Sequence, residues 1–239
     1  MKSNGRVLTA LLTLSLACAV MTVMTTPAAA AVVVVGVDLG GGWQASWPVS
    51  LDGLVSMTGE VVGDVLIVRK TAEFTQPPVN GIFPTIPIVF TQNAQVAAMH
   101  IVIDNESIQN STGVDWRDFH IDLLGGGTVF DSVSTKNSGG PDPIGWNIAP
   151  FKQAAFTADL KRLDIWDGIV PAGQFWLPGG APAGGPAGGQ LWLDVFPNPN
   201  SFTSFSLKET PTPEPATVCL LAFGGVALLT KRGRRVAAG

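Results

Sequence analysis

Between positions 36 and 211 no long stretch keeps its apolar residues at 3.6-residue spacing, and that absence constrains the fold more than any motif does. The apolar residues come instead in short runs rich in β-branched and aromatic side chains, at 65–74, 86–90, 96–103, 117–124, 174–177, 191–196 and 202–207. Turn formers such as Asn80-Gly81, Gly125-Gly126-Gly127 and Gly139-Gly140-Pro141 separate them. This pattern predicts an all-β fold, a single antiparallel β-sandwich of jelly-roll or immunoglobulin-like kind over 32–210. Only 151–163 also reads as a helix. The Gly, Pro and Ala stretch at 178–189 lies between Gln174-Phe175-Trp176-Leu177 and Gln190-Leu191-Trp192-Leu193. It reads as a hairpin with a long, mobile loop.

The flanks follow different rules. Lys2 and Arg6 precede an apolar run over 7–23, and Pro27-Ala28-Ala29-Ala30-Ala31 follows it. Basic head, apolar middle and small-residue exit together predict a secretory signal peptide over 1–31, cut by signal peptidase after Ala30 or Ala31. Leu16-Ala17-Cys18 partly resembles a lipobox, but Ser15 stands where that pattern wants Leu and the apolar run continues past the cysteine. The two cysteines, Cys18 and Cys219, both lie outside 32–210, so no disulfide staples the predicted domain. Two of the 14 basic residues precede the apolar leader and four lie in the tail, which also holds Glu214, leaving eight against 17 acidic ones, a balance of −9 between the two ends. So acidic a domain is a poor partner for nucleic acid or anionic lipid.

The segment 211–239 contains three unlike pieces in order. Pro211-Thr212-Pro213-Glu214-Pro215 is expected to be a stiff, extended spacer, because each proline fixes its own φ and biases the residue before it. An apolar, charge-free run over 216–230 follows, and Lys231, Arg232, Arg234 and Arg235 close it. As a helix, its core of about 14 to 16 residues covers about 21 to 24 Å, short of the ~30 Å of hydrocarbon. The basic cluster decides for a short transmembrane helix over a core helix, since basic residues hold a membrane segment's cytoplasmic end and their stems snorkel.

Pro213-Glu214-Pro215-Ala216-Thr217, the short apolar run and the terminal arginines together resemble the PEP-CTERM sorting signal of bacterial exported proteins. The resemblance covers roughly the last 25 residues. It implies that an exosortase, a membrane cysteine-transpeptidase-like enzyme, processes the chain near Pro213, Glu214 and Pro215. It also implies export across the inner membrane, a membrane-anchored precursor, and a final place at the cell surface or outside the cell. A link to exopolysaccharide comes with it. More loosely, Asp104-Asn105-Glu106-Ser107, the stretch 110–121 and Phe205-Ser206-Leu207-Lys208-Glu209 resemble ectodomains that accompany this signal.

Candidate chemistry within 32–210 is sparse. Alternation along 116–123 places Trp116, Asp118, His120 and Asp122 on one strand face and Arg117, Phe119, Ile121 and Leu123 on the other. Asp118, His120 and Asp122 are metal-ligating residue types, yet same-face neighbours on a strand stand nearly ~7 Å apart, so a solvated polar face explains them better. His100, inside an apolar run, reads as structural. There is no nucleophile elbow, zinc-protease helix, phosphate loop or EF-hand spacing. The reading is therefore a structural or interaction protein without cofactor. The alternatives are a carbohydrate-binding module, with an exposed pair among Trp43, Trp47, Trp146, Trp166, Trp176 and Trp192 stacking on sugar rings, and behind it a secreted hydrolase using a carboxylate pair.

Overall fold

The computed structural model describes residues 34–181 and 187–212. The chain opens with two short strands, β1 (Val34–Gly40) and β2 (Trp43–Pro48), paired across Gly40-Gly41-Gly42. All three glycines have positive φ, and a Cβ on Gly42 would sit 2.6 Å from the Val96 carbonyl oxygen, so no other residue fits that corner. A second hairpin follows, β3 (Val55–Val62) and β4 (Val65–Phe74), then β5 (Ile86–Gln92), β6 (His100–Asn110), β7 (Asp118–Gly125) and the two-residue β8 (Val129–Phe130). The short helix α1 (Ser132–Asn137) is started by Asp131, whose carboxylate accepts from the Val133 and Ser134 backbone N–H groups. The rest is β9 (Gln153–Phe156), β10 (Arg162–Trp166), β11 (Phe175–Trp176), β12 (Leu191–Asp194) and β13 (Ser204–Thr212).

These strands form two sheets. One has seven strands in the order β1-β2-β5-β13-β7-β10-β9; the other has the order β3-β4-β6-β12-β8, with β11 also paired to β6. Inward side chains of both sheets meet in one hydrophobic cluster, to which β4 gives Leu66, Val68 and Phe74, β5 Ile86, Ile88 and Phe90, β7 Phe119, Ile121 and Leu123, and β13 Phe205 and Leu207. Each such fully buried side chain contributes roughly 1.5–3 kcal/mol. Trp43, Trp116, Trp146 and Trp176 are among the largest fully buried residues, and the Trp43 and Trp176 indoles donate to the Ala98 and Ile148 carbonyls.

The fold is mostly β, with antiparallel sheets, and departs from the expectation in identifiable places. The β4–β6 pair is parallel. The intervening β5 belongs to the other sheet, so the chain crosses over and back and returns β6 in the direction of β4. The stretch 151–163 is not helical but the first part of a hairpin, β9 and β10, in which Leu163 and Ile165 alternate inward. The strand expected at 96–103 begins only at His100 and runs on to Asn110. The two Trp-bearing pieces do not pair with each other. Both lie antiparallel on the same strand, Trp176 opposite Ile108 and Leu191 opposite Ile103, so 177–190 interrupts one interrupted strand line and does not cap a hairpin. Residues 182–186 of that stretch lie outside the described residues. Finally, β13 continues through Pro211 and Thr212, two residues past the expected boundary. Its neighbour β5 stops opposite Glu209, so at Pro211 only β7 is paired and a missing N–H on the open side is tolerated.

Candidate functional site

The sequence-selected trio lies on the outer face of the seven-stranded sheet. Asp118, His120 and Asp122 are half-buried on β7 and flanked by β10, where Arg162 stands opposite Asp122 and Asp164 opposite His120. Each polar group is drawn to a cross-strand neighbour. His120 Nδ1 and Asp164 Oδ1 are 2.7 Å apart, Arg162 Nε donates to the same oxygen at 2.5 Å, and Arg162 Nη1 lies 3.6 Å from Asp122. Burial pushes the Asp118 carboxyl above its ordinary value, His120 opposes the shift and Asp164 adds to it. Among the described residues no three His, Cys, Asp or Glu side chains are grouped to hold a metal ion. A His–Asp pair also needs a nucleophile. Thr210 on β13 faces His120 in register, but its hydroxyl has no hydrogen-bond partner, so no relay exists there. Trp116 is not on this face: it precedes β7 and packs inward, its ring 5.1 Å from that of Phe74. His100 pairs with Asp194 across β6 and β12, Nδ1 to Oδ1 at 2.9 Å.

The sequence reading missed an ion cluster between the sheets. Alternation on β4 runs Leu66, Val68, Lys70, Ala72, Phe74, all buried, which aims a lysine at the core. Its register partner Glu106 on β6 and, from the opposite sheet, Glu209 on β13 meet it there. Lys70 Nζ lies 2.8 Å from Glu106 Oε1 and also contacts Glu209 Oε1; the three side chains are 2%, 0% and 0% exposed. Burial raises the Glu106 carboxyl to about 7, with Glu209 adding to the shift and Lys70 opposing it. Burial alone would lower Lys70, but the two carboxylates outweigh it and raise its pKa. The signal for this cluster was in the sequence, as a lysine and a glutamate each at an inward position of an alternating run. With side chains this deeply enclosed, and a lysine between the carboxylates, the cluster joins two sheets and offers no open acid–base pair.

A separate concavity lies on the outer face of the six-stranded sheet. It encloses about 620 Å³ over β3, β4 and β6 and is walled by the strap 177–181. Two cross-strand rows form its floor: Ser56, Thr71 and Ser107 in one, Thr58, Arg69 and Asn105 in the other. Ser56 Oγ and Thr71 Oγ1 are 2.7 Å apart. Arg69 is held between Glu60 and Asp104, at 3.3 and 3.4 Å. The strap is fixed by the Glu106 N–H donating to Pro178 O, Gly179 N–H to Asn147 O, and Asn147 Nδ2 to Gly180 O. Gly179 has φ 74°, and a Cβ there would meet the Asp104 carbonyl oxygen at 2.1 Å.

The chain matches no family model, no curated protein and no solved structure.

Of the seven tryptophans, only Trp166, on β10, is more than a third exposed, at 39%. Trp43, Trp47, Trp116, Trp146 and Trp176 are buried and Trp192 is half-buried, so no exposed tryptophan pair offers a stacking platform. The cleavage residues Ala30 and Ala31, the tripeptide Pro213, Glu214 and Pro215, the apolar run 216–230 and the cluster Lys231, Arg232, Arg234 and Arg235 lie outside the described residues. Among the described residues no helix is long and apolar enough to cross a membrane.

Proposed function

We propose that this is an exported cell-surface or extracellular-matrix protein whose two-sheet body is a β-sandwich, delivered by its N-terminal signal and sorted by an exosortase through the C-terminal tripeptide, apolar helix and basic tail. Its role is structural or adhesive and linked to exopolysaccharide. What supports the reading is the order of segments along the chain: Lys2, Arg6, an apolar run and an alanine exit precede the described strands, and Pro213-Glu214-Pro215, an apolar run and a basic cluster follow them. The body thus fits between the two segments read as processing signals, with both cysteines outside it.

Processing is tested by expressing the chain in a host with and without an exosortase and measuring product masses in membrane and medium. The expected result is a membrane-bound precursor that is shortened near Pro213–Pro215 only when the exosortase is present. Replacing Pro213, Glu214 and Pro215 with alanine should leave the precursor uncut in the membrane. A wild-type chain that remains soluble in the cytosol with both ends intact sinks the proposal.

A further inference from the structure

We infer that the trough on the six-stranded sheet is a binding site for a neutral, hydroxyl-rich glycan chain, a hexose polysaccharide; this deepens the surface-display reading and rests on it. At about 620 Å³ the trough is within the ~300–1,000 Å³ range of ligand sites. It crosses three strands, and at ~4.8 Å per strand the floor is wide enough for more than one sugar ring. The floor is a sheet face in which β4 lies between β3 and β6, so the backbone N–H and C=O groups of β4 are engaged in two ladders, while β3 is the edge strand of this sheet. A peptide added as an extra strand would pair along the outer edge of β3 and not across this floor. The ligand must be gripped by side chains, and those available are hydroxyls and a carboxamide: Ser56, Thr58, Thr71, Ser107 and Asn105. Each can both donate and accept, as a sugar hydroxyl can, so the two surfaces satisfy each other whichever way the hydroxyls rotate.

Charge selects among glycans. The Arg69 guanidinium is balanced by Glu60 on one side and Asp104 on the other, so no free positive charge faces the trough from these groups. The acidic body around it repels uronate or sulfate chains. The wall supplies the apolar component: Leu177 is 51% exposed although its strap is pinned by Asn147 and by β6, so the strap holds an apolar side chain in the open and buries it only in part. Such a wall suits the C–H face of a pyranose ring, with recognition by a hydroxyl floor in place of tryptophan stacking.

The test uses the full-length chain purified in mild detergent and titrated calorimetrically with a panel of neutral hexose hexasaccharides of different linkage, against an oligoguluronate of equal length. The expected result is saturable binding of at least one neutral hexasaccharide, weakened at least tenfold in the double variant Thr71→Val, Ser107→Ala with its melting temperature unchanged. Trp166→Ala, on the other sheet, should bind as wild type does. Should the double variant fail to fold, Arg69→Gln and Leu177→Ser, at exposed positions, carry the same comparison. The inference is overturned if no neutral probe binds, if binding survives the trough variants, or if the acidic oligosaccharide is preferred. Intact processing without glycan binding refutes this inference alone, and glycan binding by a chain that is never processed refutes the export reading alone.

Discussion

A lysine facing two glutamates in a sealed interior sets the most sensitive positions in this protein. Lys70→Met leaves Glu106 and Glu209 buried beside each other without a counter-charge, and denaturant unfolding should show a loss of about 3–5 kcal/mol. Glu106→Gln acts differently. Because Glu106 in the folded chain titrates at about 7 against an ordinary 4.5, the folded state binds its proton more tightly than the unfolded state. Its contribution to stability is therefore complete below about pH 4.5 and is lost as pH rises towards 7. Melting temperatures measured at pH 5 and pH 7.5 should fall for the wild type over that interval and fall less for Glu106→Gln. The raised pKa of Lys70 places its own change at the alkaline end, where its contribution is lost only as pH climbs past the ordinary 10.5. Among tryptophans, Trp176→Ala should cost about 3–5 kcal/mol and Trp166→Ala within about 0.5 kcal/mol, as read by the same unfolding assay, because the first is fully buried and the second is 39% exposed.

At the scale of elements, legibility tracked the strictness of alternation. The strand over Val65–Phe74 was read with its true limits because every second residue from Leu66 is buried. That same regularity concealed Lys70, since a lone lysine inside a strand is ordinarily a surface residue. The strand at His100–Asn110 was placed four residues early because Val96, an apolar residue, is 88% exposed, while Glu106 in its polar-looking half is buried. The trough was not legible, since its floor depends on the Ser56, Thr71 and Ser107 register and its wall on a strap bonded to Asn147 from far along the chain. The two-residue β8 leaves no periodic trace, whereas β11 falls inside the run read at 174–177; both exist because β12 and β6 offer open edges. The corner at Gly42 supplies an elemental test. Gly42→Val combines a φ of 76° with a carbonyl at 2.6 Å, and should lower stability by more than about 1 kcal/mol in denaturant melts.

At the scale of the whole molecule, the body depends on packing between sheets and on no covalent staple. Thermal melting of the full-length chain should be unchanged by a thiol reductant, because Cys18 and Cys219 both lie outside the strands. The position of β13 has a mechanical consequence. This last strand does not border its sheet; it lies between β5, paired from Ser204 to Glu209, and β7, paired from Phe205 to Thr212. Sheet hydrogen bonds run across the strand, so tension applied at Thr212 along the strand axis loads them together in shear, whereas tension at Val34 on the outermost β1 peels them one after another. A leash attached at the carboxyl side would thus pull on the part of the body that yields last.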